Sequence, residues 1–203
     1  ETEELPDKEP VGNKLLDAGK ALARQLREVV VPYYDTYIFN TLAKAASANG
    51  NTNATAATKS NAYELFLNAQ EALGNKCAPD AGRVAFCSYK FANLLKQDPS
   101  FMKYSNMSQE MVIKGIMGEV DGVKIVKVPA SRLPAGCSFI LTHPIAATGP
   151  KQLEEYKIHD NPPGISGWLC EGRFIYDCFV LNEKADAIFY HGSGSLITTR
   201  LNP

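Results

Sequence analysis

The sequence predicts an α+β fold, because helical and extended patterns are segregated along it rather than regularly alternating. Three observations carry this. Apolar residues recur at three- and four-residue steps through the first third; Asp121-Gly122, between Val120 and Val123, marks a tight hairpin; and the last third is rich in β-branched and aromatic runs. No internal repeat is visible.

The first fifty residues read as helix. Leu15, Ala18, Leu22, Leu26 and Val29 form one apolar stripe, with Lys14, Asp17, Lys20, Arg24 and Arg27 on other faces. Pro32 is expected to kink or end this helix, since proline lacks the N–H and crowds the preceding turn. The pattern resumes with Tyr34, Ile38, Leu42 and Ala45, giving one kinked helix or two collinear ones to about Ala48. Thirty helical residues would span roughly 45 Å, against ~26 Å for a small globule, so the segment reads as a structural spine.

Residues 47–60 hold nothing to bury and read as a polar linker or mobile loop. A second helix follows, capped by Asn61 with Glu64 three residues on. Its apolar face is Ala62, Leu65, Phe66, Ala69 and Leu73, and Gly74 ends it. Pro79-Asp80-Ala81-Gly82 is a turn and Arg83 to Cys87 a short strand. Ser88 then caps a helix carrying Phe91, Leu94 and Leu95, terminated by Asp98-Pro99.

Residues 112–128 read as a hairpin closed by Pro129, with loop from Ser131 to Gly136. Cys137 to Thr142 is a strand ended by His143-Pro144. Asn161-Pro162-Pro163-Gly164 breaks the chain. Trp168 to Leu181 and Ala185 to His191 read as strands around Asn182-Glu183-Lys184, and the tail from Gly192 as an edge strand or loose end.

With 203 residues the chain can bury roughly 70% of its unfolded surface and needs no disulfide or metal staple. Its 21 basic and 22 acidic residues leave a formal charge of −1, which argues against a dedicated nucleic-acid binder. No apolar run approaches the ~18 to 20 residues of a membrane span. The opening Glu1-Thr2-Glu3-Glu4, without Met, is expected of a chain whose leading segment has been removed. Cys77, Cys87, Cys137, Cys170 and Cys178 are odd in number and mostly in apolar runs, the pattern of buried free thiols. The acceptor-like patterns at Asn53 and Asn106 then read as chance.

No catalytic, cofactor-binding or metal site stands out. A thiol nucleophile would need His143, His159 or His191 brought near Cys137, Cys170 or Cys178, and no local signature accompanies any of them. No Cys-x-x-Cys or His-x-x-x-His occurs. Ala147-Thr148-Gly149-Pro150-Lys151 and Gly192-Ser193-Gly194-Ser195 lack the remainder of a phosphate-binding loop. Glu154-Glu155, and Asp98 with Glu110, are too generic to assign as acid and base. Tyr33, Tyr34, Tyr37 and Phe39 point in several directions on a helix, which suits packing better than a stacking platform.

Seven strings in order then carry a resemblance. They are Arg27 to Tyr37 (R-E-V-V-V-P-Y-Y-D-T-Y); Glu71-Ala72-Leu73 with Pro79 to Ser88; Leu94-Leu95 with Phe101; Lys114 to Val123; Val128 to Pro134; Phe139 to Pro144; and Gly172 to Leu181. Together they resemble the major capsid (coat) proteins of tailed bacteriophages and prophages, of the Hong Kong 97-type fold, over most of residues 25–191. The family's N-terminal arm and extended loop, which precede its spine helix, are not matched.

The resemblance implies a spine helix and peripheral domain over 1–48, an axial domain over 49–155, and peripheral return strands over 156–203. It further implies hexamers and pentamers closing into an icosahedral shell around double-stranded DNA, assembled in the host bacterial cytoplasm. Partners would be other copies, scaffolding and portal proteins, and the genome through indirect, sequence-independent contact, with no cofactor and no membrane. Two alternatives stand beside it: an encapsulin-like nanocompartment shell, and a cysteine-dependent hydrolase using Cys137 or Cys178.

Overall fold

The structure is a computed structural model. It describes Lys20 and residues 23–98, 116–160, 163–164 and 168–193, and only the backbone of 116–117, 151–156, 158, 160 and 168–170.

A π-helical turn, Leu26–Val30, leads directly into helix α1, Val31–Ala48. Pro32 therefore does not end the helix. Proline offers no N–H to the carbonyl four residues back, and a widened turn, in which the Val31 N–H reaches the Leu26 carbonyl, takes up the mismatch just before it. Next come β1, Thr52–Asn53; α2, Ala62–Asn75; β2, Val84–Ser88; and α3, Tyr89–Gln97. The hairpin of β3, Ile116–Val120, and β4, Val123–Val128, precedes β5, Cys137–Thr142, and β6, Ala147–Thr148. Then follow β7, Lys151–Asp160; β8, Trp168–Tyr176; β9, Phe179–Val180; and β10, Ile188–Gly192.

The chain divides into two compact units. One combines the described residues through Tyr34 with Lys151–Tyr176, and the other holds Asp35–Pro150 and the described residues from Asp177.

The larger unit is built on a six-stranded mixed sheet in the order β1-β10-β5-β2-β4-β3. β5 is its middle layer, with Phe139 and Leu141 buried on one face and Ile140 on the other. On the first face α2 and α3 contribute Phe66, Leu73, Phe91 and Leu95 to a core with Ile125 and Phe139. On the second, α1 lays Phe39, Leu42, Ala43 and Ala46 against Ile140, Ile188 and Tyr190. All five residues expected on the apolar face of α2 are buried. Asp121 (φ 52°) and Gly122 (φ 76°) take the two positive φ values that a primed hairpin turn requires.

Several local expectations are corrected. Asn51, in the stretch expected to bury nothing, is 4% exposed, and its amide donates to the Asp186 and Ile188 carbonyls. β1 lies in the same stretch and pairs in parallel with β10. Asn61 does not cap α2; its side chain accepts from the Thr58 N–H and donates to the Ala56 carbonyl, shaping the preceding loop. The helix runs one residue past Gly74, and Cys77 (φ 58°) takes the left-handed closing position. Arg83 precedes its strand and turns its guanidinium back onto the Gln70, Ala78 and Pro79 carbonyls. The extended run from Trp168 to Leu181 is broken at Asp177, whose carboxylate accepts from the Cys178 N–H and the Tyr37 hydroxyl. Asn182–Ala187, expected to join two strands by a short turn, is a longer 3-10 segment.

Ser88 caps α3 as expected, accepting from the Phe91 N–H at 3.2 Å. The smaller unit pairs β7 with β8 as an antiparallel ribbon, a pairing the sequence reading did not foresee for residues 151–160. Tyr33 and Tyr34 meet Tyr176 edge-on, with centroids 6.1 and 5.6 Å away, and tie the ribbon's base to the helical segment.

Candidate interaction surface

The chemistry-bearing side chains are dispersed. Burial lifts the Cys137 thiol to about 12 and pushes Cys87 and Cys178 up as well, so these sulfurs stay protonated and poorly nucleophilic near neutrality. Cys77 is exposed, and the Cys170 side chain lies outside the described residues. His143 has Nε2 3.0 Å from the Ala81 carbonyl, while Nδ1 accepts from the Ile145 N–H, a pairing that fixes its tautomer and caps the turn at Pro144. His159 faces Glu171 across the β7–β8 ribbon at 3.2 Å. His191 is buried against Phe139 and Phe91. None of these imidazoles is hydrogen-bonded to a described thiol, so the cysteine hydrolase reading gains no geometric support.

Among the described residues no cluster of His, Cys, Asp or Glu could hold a metal ion. Asp98 is 1% exposed and accepts from the Tyr63 N–H, a structural role. The side chains of Glu154 and Glu155, and all of Glu110, lie outside the described residues, as do Asn106 and the positions after Ser193. Ala147-Thr148 is β6, and Gly192 ends β10. Asn53 accepts from the Thr55 N–H in a local turn. Phe39 packs edge-on against Phe86 at 5.0 Å and Tyr37 donates to Asp177, so the aromatic series of α1 does serve packing.

Two polar links join distant parts of the chain. Arg132 donates to Asp35 at 2.8 Å, and Tyr37 donates to Asp177 at 2.9 Å. The first joins the first and fifth of the seven resembling strings, and the second joins the first and seventh.

What remains unspent is apolar surface. In the larger unit Ile145, Phe179 and Leu181 are 42%, 54% and 52% exposed around the β6–β9 pair, while Val180 between them turns inward. Such a strand is apolar on both faces, one for the core and one for something else. The sequence reading did not single these residues out, although Phe179-Val180-Leu181 carried that signal. In the smaller unit Val29, Val31, Tyr33 and Ile175 are 51%, 41%, 50% and 51% exposed. Among the described residues its sheet has two strands, a size that is marginal alone in water. No helix among the described residues is long and apolar enough to cross a membrane.

No family model and no curated protein sequence matches the chain. Solved structures do. A chain in a structure from Mycobacterium phage Che8 superposes with TM-score 0.66 at 19% identity, covering 86% of this chain and 63% of its own length. A chain in the capsid structure of the cyanophage P-SCSP1u gives TM-score 0.59 at 15% identity, covering 92% of this chain and 66% of its own. This chain thus spans a little under two thirds of the length of the structures it matches. At these identities the likeness is one of fold: the α+β architecture expected from the sequence is one found in phage capsids.

Proposed function

We propose that this chain is a structural subunit of a tailed-phage or prophage capsid of the Hong Kong 97 type, working by self-association. The observation that carries this reading is the fold shared with a chain of a cyanophage capsid structure and with a chain from a Mycobacterium phage structure, each over more than four fifths of this chain. Exposed apolar side chains on both compact units support it, since a shell subunit must complete its apolar surface with copies of itself.

On this reading function follows from geometry. Each subunit makes several contacts of modest area, and closed symmetry repeats them until their sum resists the pressure of packaged DNA. The formal charge of −1 lets copies approach without strong mutual repulsion. Hexamers and pentamers, an enclosed double-stranded genome touched without sequence preference, scaffolding and portal partners, and assembly in the host cytoplasm complete the proposal. The mixed sheet would form the core of the axial domain expected over 49–155, extended by Ile188–Gly192, and the helical segment with the β7–β8 ribbon would belong to the peripheral domain.

Negative-stain imaging of the intact gene product tests the proposal. Closed shells carrying nucleic acid are expected in the phage context. Shells holding a protein cargo and no genome would favour a nanocompartment, and a monomer at all accessible concentrations would overturn both.

A further inference from the structure

We infer that His191 is an acid-sensitive latch on the β1 edge of the sheet: on taking up a proton it releases segment 53–57 while the helices beneath stay folded. The inference stands apart from the shell reading, because it concerns one unit of one molecule.

The imidazole is 1% exposed, and neither ring nitrogen has a hydrogen-bond partner. The ring lies on Phe139, with centroids 4.9 Å apart and planes 5° from parallel, and Phe91 is 6.2 Å away. A neutral imidazole tolerates this aromatic slot, at the expense of its unpaired nitrogens. An imidazolium carries two N–H donors and a charge, in a slot where neither nitrogen makes a hydrogen bond. Burial accordingly holds the ring's proton affinity below the ordinary range. Backbone groups of His191 and Thr55 approach without completing a hydrogen bond, so they offset this only in part.

No described neighbour supplies a compensating negative charge: on α2, which also packs against β10, Glu64 and Glu71 are exposed, and the buried Asp98 at its start is engaged by the Tyr63 N–H. By register, Asn53, His191, Phe139, Cys87 and Lys127 form one row across β1, β10, β5, β2 and β4. Cys87, and Cys137 two residues before Phe139, are thiols held protonated by burial. Lys127, at the far end of the row, stands over the Tyr89 ring at 5.9 Å. From α3 come Phe91 and, on the nearby cleft wall, Lys90, a second cation. Tyr190, beside His191 on β10, has its hydroxyl pushed up to about 12 by burial and stays neutral.

The response is local because the cover over His191 is thin. β1 meets β10 at only two positions, Thr52↔Tyr190 and Asn53↔His191. Its upstream end is fixed by Asn51, which bonds the Asp186 and Ile188 carbonyls and accepts from the Tyr190 N–H. Downstream, the bond from the Thr55 N–H to the Asn53 side chain is internal to the segment, and the segment is otherwise held by one exposed bond from the Asn61 amide to the Ala56 carbonyl and by the packing of Ala57 on the core. Thr55, Ala56 and Ala57 form one wall of a cleft of about 350 Å³ that has Phe91 on another wall, so water has a route towards the ring once this wall lifts.

The sign follows from linkage. An open state with solvated His191 takes up its proton near the unperturbed value of about 6.5, whereas the closed state does so only at lower pH. The closed state is therefore unaffected above that value and loses ground progressively as pH falls below it.

Hydrogen exchange read by mass spectrometry at about pH 7.5 and about pH 5, corrected for intrinsic exchange, tests the latch together with an NMR titration of the histidine rings. Protection of peptides covering 51–57 and 188–192 should fall about tenfold or more at the lower pH while α2 keeps its protection. His191→Phe should abolish that difference, and the His191 resonance should titrate below the ordinary imidazole value of about 6.5. A His191 that titrates at or above the ordinary value, or an equal loss of protection in α2, would overturn the inference. So would an unchanged response in His191→Phe; if that variant does not fold, the titration and the wild-type exchange pattern decide.

Discussion

Asp98, just past the end of α3, caps the start of α2: its Oδ2 accepts the Tyr63 N–H at 3.0 Å across 35 residues of sequence. The carboxylate is 1% exposed and meets the positive end of the helix where the local candidate, Asn61, makes no cap bond. One side chain thus fixes the packing of two helices on the same sheet face. Asp98→Ala should destabilise the fold by about 1 to 3 kcal/mol, and Asn61→Ala by clearly less. Urea denaturation of the two variants checks this ranking.

Asn51 should be similarly intolerant. Replacing it with Ala strands the Asp186 and Ile188 carbonyls, at a cost of about 1 to 3 kcal/mol. Asn53→Ala, at a partly exposed position of the same short strand, should cost less than half as much. Thermal melts of both variants measure the difference.

The thiols make a kinetic prediction. At pH 8 Cys77 is exposed and should be alkylated promptly, whereas Cys87 and Cys178 are buried, Cys137 is partly so, and all three are held protonated. Site-resolved mass spectrometry after iodoacetamide treatment should find these three modified only once denaturant is added. Rapid native labelling of Cys87, which is fully buried, would show that the larger unit opens far more readily than its core implies.

Phe179 and Leu181 carry the assembly prediction. Changing both to Ser removes apolar surface that is already in water, so melting should move by no more than about 2 °C. Self-association should fall several-fold if copies bury this patch. Sedimentation velocity of the variant beside the parent chain separates the two effects.

Local rules made much of the larger unit legible. Helical spacing found the buried face of α2, Asp121-Gly122 fixed its hairpin, and Ser88 and His143 marked the ends of their elements. Features that depend on distant chain were not legible. The cap from Asp98, the burial of Asn51 beneath β10, and the parallel pairing of β1 each need a partner that no local pattern announces. The break at Asp177 escaped for the same reason, because its carboxylate is held by Tyr37, 140 residues away. Apolar surface outside the core was equally hidden: the pattern of Phe179-Val180-Leu181 gives the strand two apolar sides without saying that one of them faces solvent.

The self-association account is tested most directly by cryo-electron microscopy of particles formed by the intact gene product. It predicts a closed icosahedral wall into which the six-stranded sheet unit fits once per repeating position, with Phe179 and Leu181 covered by a neighbouring copy. A purified product that remains monomeric, or particles whose wall density cannot accept this fold, would contradict it.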